Sequence, residues 1–158
     1  MPDWLPTALA LAALACVAAA AICDVCTFEI PDELSIALVV LALAYGALTP
    51  GFGWVSHIAA PVAVFAVGLL LFAKGWMGGG DIKLLTAIAA WTGLAGLLPL
   101  LVGISLSGGA LALVLIIARR ALKGKAVSRV FAADAPIPYA VAILGGTLWW
   151  ARLVWPLS

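Results

Sequence analysis

Apolar residues fall in long runs along this chain, and nearly all charged residues lie in the short segments between the runs. A helix needs roughly 20 consecutive apolar residues to cross a hydrocarbon core about 30 Å thick. The runs predict about six transmembrane helices, over residues 4–22, 34–48, 55–73, 82–97, 100–118 and 137–155. The predicted fold class is therefore an all-α polytopic membrane protein.

The fourth and fifth of these spans are separated by length alone. The chain is apolar without a break over 82–118, which is too long for one crossing. We therefore predict a helical hairpin that turns between Thr92-Gly93 and Pro99, because glycine and proline favour chain reversal.

The composition agrees with a membrane protein. Of the 158 residues, 66% are hydrophobic and 9% are charged, and the mean hydropathy is +1.26, whereas a soluble domain needs more polar surface. We expect one membrane-embedded domain over 1–158, with the first run retained because no basic signal segment precedes it. The net charge of +1 gives no reason to expect a nucleic-acid partner, and the oligomeric state is left open.

The positions of lysine and arginine predict how the helices are oriented. Cytoplasmic loops carry an excess of these two residues. With the exception of Arg152, they lie in or beside the connections that follow the odd-numbered runs: Lys74, Lys83, Arg119, Arg120, Lys123, Lys125 and Arg129. We expect those connections on the cytoplasmic side of the membrane and both termini outside. The basic connection 119–129 is also a candidate contact for anionic lipid headgroups.

Asp81 follows three glycines at the edge of an apolar run, in the stretch Gly78-Gly79-Gly80-Asp81. One interpretation is purely structural, since aspartate is a preferred helix N-cap and glycine suits a tight loop. Three glycines exceed what a cap requires, and they let another backbone or carboxylate approach closely. Asp81 is therefore also a candidate functional residue.

Asp24 follows the first run and lies on the same predicted face as Asp81. An acid there faces the negative end of the helix dipole, which is unfavourable; an ordinary loop charge is the alternative. Two carboxylates within hydrogen-bonding distance cannot both ionise easily and share a proton. One can then act as general base on water while the protonated one polarises a carbonyl. Such a pair hydrolyses peptide bonds, and whether the two touch without substrate is left open.

Other candidate residues carry less weight. Cys23 and Cys26 form one CxxC pair, but zinc sites of this type need a second pair or histidines, so we expect no metal and no cofactor. His57 is expected to pack or to lie at the interface. Small residues in the last two runs are expected to form close helix contacts: Ser105, Ser107, Gly108, Gly109, Gly145 and Gly146.

Three segments resemble the type IV prepilin peptidases, which are GxGD-type intramembrane aspartic peptidases. Asp24, followed after five residues by Ile30-Pro31-Asp32, resembles their first active-site segment, and residues 78–83 (GGGDIK) fit their GxGDxK segment. Residues 137–142 (IPYAVA) also resemble theirs, especially in the small forms that serve Flp/Tad pili. The resemblance covers essentially the whole chain.

This resemblance implies six helices and a catalytic pair formed by Asp24 and Asp81. The matching motif residues with implied supporting roles are Gly78, Gly80, Lys83, Pro31 and Asp32. The implied activity is cleavage of a short basic leader from prepilin or pseudopilin precursors, just after a glycine, on the cytoplasmic side.

Two further expectations concern Lys83 and the first connection. Lys83, two residues after Asp81, either counters the local negative charge or extends to the lipid headgroups. Larger family members also methylate the new N-terminus through a cytoplasmic insertion with two CxxC pairs. The connection 23–33 is too short for that insertion, so we expect a peptidase without N-methyltransferase activity.

Two functions of other classes stay open. In a small transporter or ion-binding protein, Asp24 and Asp81 would hold a cation or a proton, but transporters carry polar residues near the midplane or broken helices in related halves. A non-catalytic assembly partner of a pilus or secretion machine is expected to lack one aspartate. The sequence has its acids at one edge and retains both aspartates, which favours the peptidase.

Overall fold

Five α-helices make up the computed structural model, which describes residues 4–121, 129–131 and 135–154. They are α1 (Trp4–Thr27), α2 (Asp32–Leu48), α3 (Trp54–Ala73), α4 (Gly79–Ala121) and α5 (Tyr139–Val154), with a 3-10 turn at Arg129–Phe131. The residues described include no strand, which confirms the all-α class for them. Lys123 and Lys125 of the basic connection and Trp155 of the last predicted span lie outside these ranges.

The helices have the surface of a membrane protein. Among the described residues, α1, α3 and α4 are long and apolar enough to cross a bilayer, and α5 is apolar but shorter. Large apolar side chains point outward along them; Leu11, Val55 and Leu70 are 61%, 83% and 66% exposed, as expected where lipid replaces water as the solvent. The membrane class is thus supported, while six crossings and the location of the termini stay predictions.

The long helix α4 is broken at Gly93. This residue has φ 59° and ψ −177°, a conformation open almost exclusively to glycine. We refer to 79–92 as the first limb of α4 and to 94–121 as the second limb. The break falls at the start of the predicted turn, inside the predicted span 82–97, and Pro99 lies within the second limb. The reversal therefore occurs at Gly93, within the predicted turn, and helix resumes before Pro99.

The first turn of α3 satisfies the backbone groups that the break leaves open. The Leu94 amide donates to Ser56 Oγ at 2.8 Å, and His57 Nδ1 lies 2.9 Å from the carbonyl oxygen of Ala90, so this nitrogen is the protonated one. The His57 ring also packs on the Phe52 ring, with centroids 4.1 Å apart. His57 therefore has the packing role expected for it.

The two limbs run in opposite directions. A Cβ built on Gly68, late in α3, would meet the Ile82 side chain at the start of the first limb, whereas His57, early in α3, contacts the end of that limb. The second limb begins beside Trp150 and passes Tyr139 at Gly108, antiparallel to α5. The chain therefore reverses at Gly93, which brings the start of α4, the start of α5 and the end of α1 to one end of the bundle.

Close helix contacts hold the second limb against α5. A Cβ on Gly103 would lie 2.9 Å from Gly146 Cα, so the two backbones nearly touch, as small residues permit between membrane helices. Gly108 packs near Ala142, as predicted. Gly109 is an exception, because its Cβ position has no neighbour within 4 Å. The largest fully buried side chains include Val17, Leu38, Leu84, Ile88, Leu100 and Ile143.

The limits of α1 and α2 differ from the predicted spans. α1 continues beyond Ile22 to Thr27, so Asp24 lies in its last turns rather than in the connection. Thr27 Oγ1 donates to the Cys23 carbonyl at 2.8 Å, which helps to close this helix end. α2 begins at Asp32, directly after Pro31, as proline followed by acids predicts for a helix start.

Candidate active site

Asp24 lies near the end of α1 and is buried, with 7% of its surface exposed. Its Oδ2 accepts the backbone N–H of Ala140 at 2.8 Å. Ala140 is the second residue of α5, so Asp24 caps a helix other than its own. The N-terminal amides of α5 thereby offset the unfavourable position of Asp24 at the end of α1, because helix N-termini favour negative charge.

Asp81 lies in the first turn of α4 and is half-buried. The Gly78 backbone amide lies against its carboxylate, and a Cβ on Gly78 would be 2.9 Å from Asp81 Oδ2. Any side chain at 78 would therefore displace the carboxylate. Because Asp81 also lies at the start of its helix, the capping interpretation and the functional interpretation are compatible.

Gly80 lets the connection after α1 pack against the start of α4. A Cβ on Gly80 would lie 3.2 Å from the Ile30 Cβ, which is closer than most Cβ contacts. The segment before Pro31 therefore lies directly on the glycine-rich loop. The absence of a side chain at position 80 thus lets the Ile30 side chain pack directly on the loop.

The two aspartates line one cavity of about 850 Å³. Their carboxylates are close enough for the charge of Asp24 to act on Asp81. The walls are mainly apolar and come from α3, the second limb of α4, and the segments on either side of Asp81 and before α5; they include Val67, Leu71, Trp76, Leu85, Leu101, Ile104 and Ile137. Two acids at one end of an apolar cavity form a site in which water can be activated beside a bound peptide.

Lys83 pairs with Asp32 and not with Asp81. Its Nζ lies 2.8 and 2.7 Å from the two Asp32 carboxylate oxygens, and the two side chains are 51% and 58% exposed. Lys83 thus counters a negative charge at the start of α2, on Asp32, while the headgroup alternative stays a prediction. The ion pair joins the two motif segments at the surface, where such pairs stabilise by about 0–1 kcal/mol.

The residues that the sequence offered for metal binding are not assembled. Cys23 is half-buried, Cys26 is exposed, and both are free thiols. Within the described ranges, no group of three His, Cys, Asp or Glu side chains is placed to hold a metal ion.

Three contributors to the site were not predicted as such. The Ala140 amide holds Asp24, and the side chains of Phe28 and Tyr139 line the cavity. Tyr139 lies in the segment 137–142 that resembles the peptidases, which was the available signal for it. The role of the Ala140 amide and the conformation of Phe28 have no signal in the amino-acid sequence.

Residues 11–113 match the family model of the type IV leader peptidases. The chain belongs to the type IV leader peptidase family. No curated protein and no solved structure was found to match it.

As a leader peptidase family member, the chain is a hydrolase of the peptidase class. The matched residues include both aspartates, the glycine-rich loop and Lys83. They do not include α5, although α5 supplies the amide that binds Asp24. In this leader peptidase, therefore, the site extends beyond the part of the chain that the family model matches.

Proposed function

We propose that this protein is a membrane aspartic endopeptidase that removes the leader of prepilin or pseudopilin precursors. The observation that carries the proposal is that Asp24 and Asp81, which are 57 positions apart in sequence, line a single cavity. Membership of the leader peptidase family supports the reaction class. The proposed site lies at the cytoplasmic face of the inner membrane, as the lysine and arginine distribution favours.

The chemistry requires one proton shared by the two carboxylates. The ionised carboxylate removes a proton from a water molecule, whose oxygen attacks the carbonyl carbon of the scissile peptide bond. The protonated carboxylate donates a hydrogen bond to the carbonyl oxygen as negative charge develops there. The C–N bond then breaks as a carboxyl group gives a proton to the leaving amine, and the two products separate.

The surroundings of the site fit the two parts of such a precursor. The apolar walls on α3 and the second limb of α4 suit an apolar peptide segment that stays within the bilayer. Acidic side chains of the α1–α2 connection and of the first turn of α2, Glu29 and Glu33, are exposed at the same end of the bundle. These acidic side chains suit a short basic leader outside the bilayer, because opposite charges attract. Added salt would weaken this attraction.

We further propose that the enzyme lacks N-methyltransferase activity. α1 ends at Thr27 and α2 begins at Asp32, so the chain between them has no room for a second catalytic domain. A cleaved product with an unmodified N-terminus is the expected outcome when the protein and precursor are produced together with a methyl donor present.

The proposed function is tested by producing the protein with a Flp-type prepilin and following leader removal by the mass of the product. The wild type is expected to cut the precursor, and Asp24→Asn and Asp81→Asn are expected to leave it uncut. Gly109→Ala is a control outside the site, since a Cβ at this position has no neighbour within 4 Å, and it should cut within about threefold of the wild-type rate.

If the wild type cuts no prepilin, the peptidase proposal fails. If either aspartate variant cuts at the wild-type rate, the assignment of the pair fails while the activity stands.

A further inference from the structure

Phe28 has a backbone conformation that phenylalanine rarely adopts. With φ 58°, it is the one non-glycine residue with positive φ in the described part of the chain. It directly follows the last residue of α1, a position where glycine commonly takes this left-handed conformation. For a bulky residue the conformation is an outlier.

The end of α1 explains the conformation but not the side chain. The Phe28 amide donates to the Asp24 carbonyl at 2.9 Å, and Thr27 Oγ1 is bonded to Cys23 at the same helix end. Glycine at position 28 would make the same backbone bond without strain. The ring must therefore contribute something that glycine cannot.

The ring of Phe28 lies at the site rather than in the core. It is half-buried and lines the cavity together with Asp24 and Asp81. It does not belong to the buried core cluster, which includes Val17 and Ala21 of the same helix. Strained residues held beside a site are often retained for what the side chain does there.

We infer that Phe28 is a specificity-determining residue of the peptidase, whose ring packs against an apolar side chain of the substrate next to the scissile bond. A peptide bond that reaches both carboxylates brings its flanking residues into the cavity that Phe28 also lines, and Phe28 is bonded through its amide to Asp24. Aromatic rings bury large apolar areas in such contacts. This inference rests on the proposed function. It adds that the site selects substrates with an apolar residue next to the scissile bond.

The test is a cycle between enzyme and substrate variants, with purified protein and a synthetic precursor peptide. Phe28→Gly removes the ring and relieves the backbone, so kcat/KM should fall about tenfold or more, while the thermal unfolding midpoint should hold or rise by up to about 4 °C. Replacing the apolar flanking residues of the peptide by alanine should slow the wild type, yet slow Phe28→Gly much less.

Two further variants separate the ring from the backbone. Phe28→Asn suits the left-handed conformation without a ring and should behave like Phe28→Gly. Phe28→Leu keeps an apolar side chain and the strain, so it should retain more activity than either. Cys26→Ser changes an exposed residue of the same turn and should match the wild type.

A wild type that cuts while Phe28→Gly cuts equally well overturns this inference and leaves the proposed function standing. The inference is also overturned if Phe28→Gly lowers activity together with the unfolding midpoint, because that marks a structural role. A wild type that cuts no precursor removes the proposed function and this inference together.

Discussion

The two ends of the helix bundle differ in how tightly their residues are packed and hydrogen-bonded. At the end that contains Gly93, side chains of α3 bind the backbone groups opened by the break, and aromatic rings pack around them, with Tyr45 and Trp91 centroids 5.3 Å apart. The end that contains Asp81 has a glycine-rich loop, an exposed ion pair, a strained Phe28 and the cavity that both aspartates line.

This difference separates stability from function. A helix break in lipid must have its amides and carbonyls bonded within the protein, and the side chains at the Gly93 end provide those bonds. The Asp81 end instead places two carboxylates in one cavity and keeps small residues beside Asp81. Substitutions at the first end should therefore reduce stability, and those at the second should reduce activity.

Apart from changes to the two aspartates themselves, the largest effect on activity should come from Gly78→Ala. The new Cβ would lie 2.9 Å from Asp81 Oδ2. Because the carboxylate is the flexible end of its side chain, the carboxylate shifts to make room and the helix stays folded. A displacement on the order of 1 Å in an active site costs about 100-fold in rate. Cleavage assays should show that loss at an unfolding midpoint within about 2 °C of wild type.

Gly79→Ala is the matched control for that change. Its Cβ would make ordinary contact with the Phe72 ring at 3.6 Å, so cleavage within about threefold of wild type is expected. Equal losses in both variants would show that the loop needs general flexibility rather than a free position beside Asp81.

Gly93→Ala should produce the opposite result, a loss of stability with the chemistry intact. Its φ of 59° with extended ψ is strained for any side chain, and the Cβ would meet Ser56 Oγ at 2.8 Å. A cost of about 2–3 kcal/mol corresponds to a midpoint lower by about 5–10 °C. The rate per folded molecule should stay within about twofold; a much lower rate would mean that the two ends are not independent.

The smallest effect should come from the Asp32–Lys83 ion pair. Both side chains are more than half exposed, so a double-mutant cycle of Asp32→Asn and Lys83→Gln should give a coupling free energy of unfolding below about 1 kcal/mol. The exchange of charges in Asp32→Lys with Lys83→Asp should recover most of the cost of either single change. A coupling of several kcal/mol would indicate a buried role that the exposed geometry does not suggest.

Sequence reasoning found the elements that leave periodic or local marks. Long apolar runs predicted the helices, Pro31 and Asp32 predicted the start of α2, and the glycines before Asp81 predicted a tight loop at the start of α4. Each of these depends on residues near one another in the chain.

The rest of the site depends on tertiary contacts. The turn was predicted between Thr92-Gly93 and Pro99, but the exact position of the break at Gly93 is tied to contacts with α3. Lys83 was expected to meet local negative charge or the headgroups, but its pairing with Asp32, 51 positions earlier, depends on the packing of α2 against α4. The Ala140 amide that binds Asp24 is a backbone group, and every residue except proline has one.

The central claim, that Asp24 and Asp81 act as one catalytic unit, is tested most directly by comparing the two single variants with the double variant. Purified protein in lipid nanodiscs would be assayed with a synthetic prepilin-type precursor. Asp24→Asn, Asp81→Asn and the double variant should each lower kcat by the same factor, at least about 1,000-fold, because residues that act as a unit are not additive. A double variant whose loss equals the product of the two single losses, or a single variant with near wild-type kcat, would contradict the account.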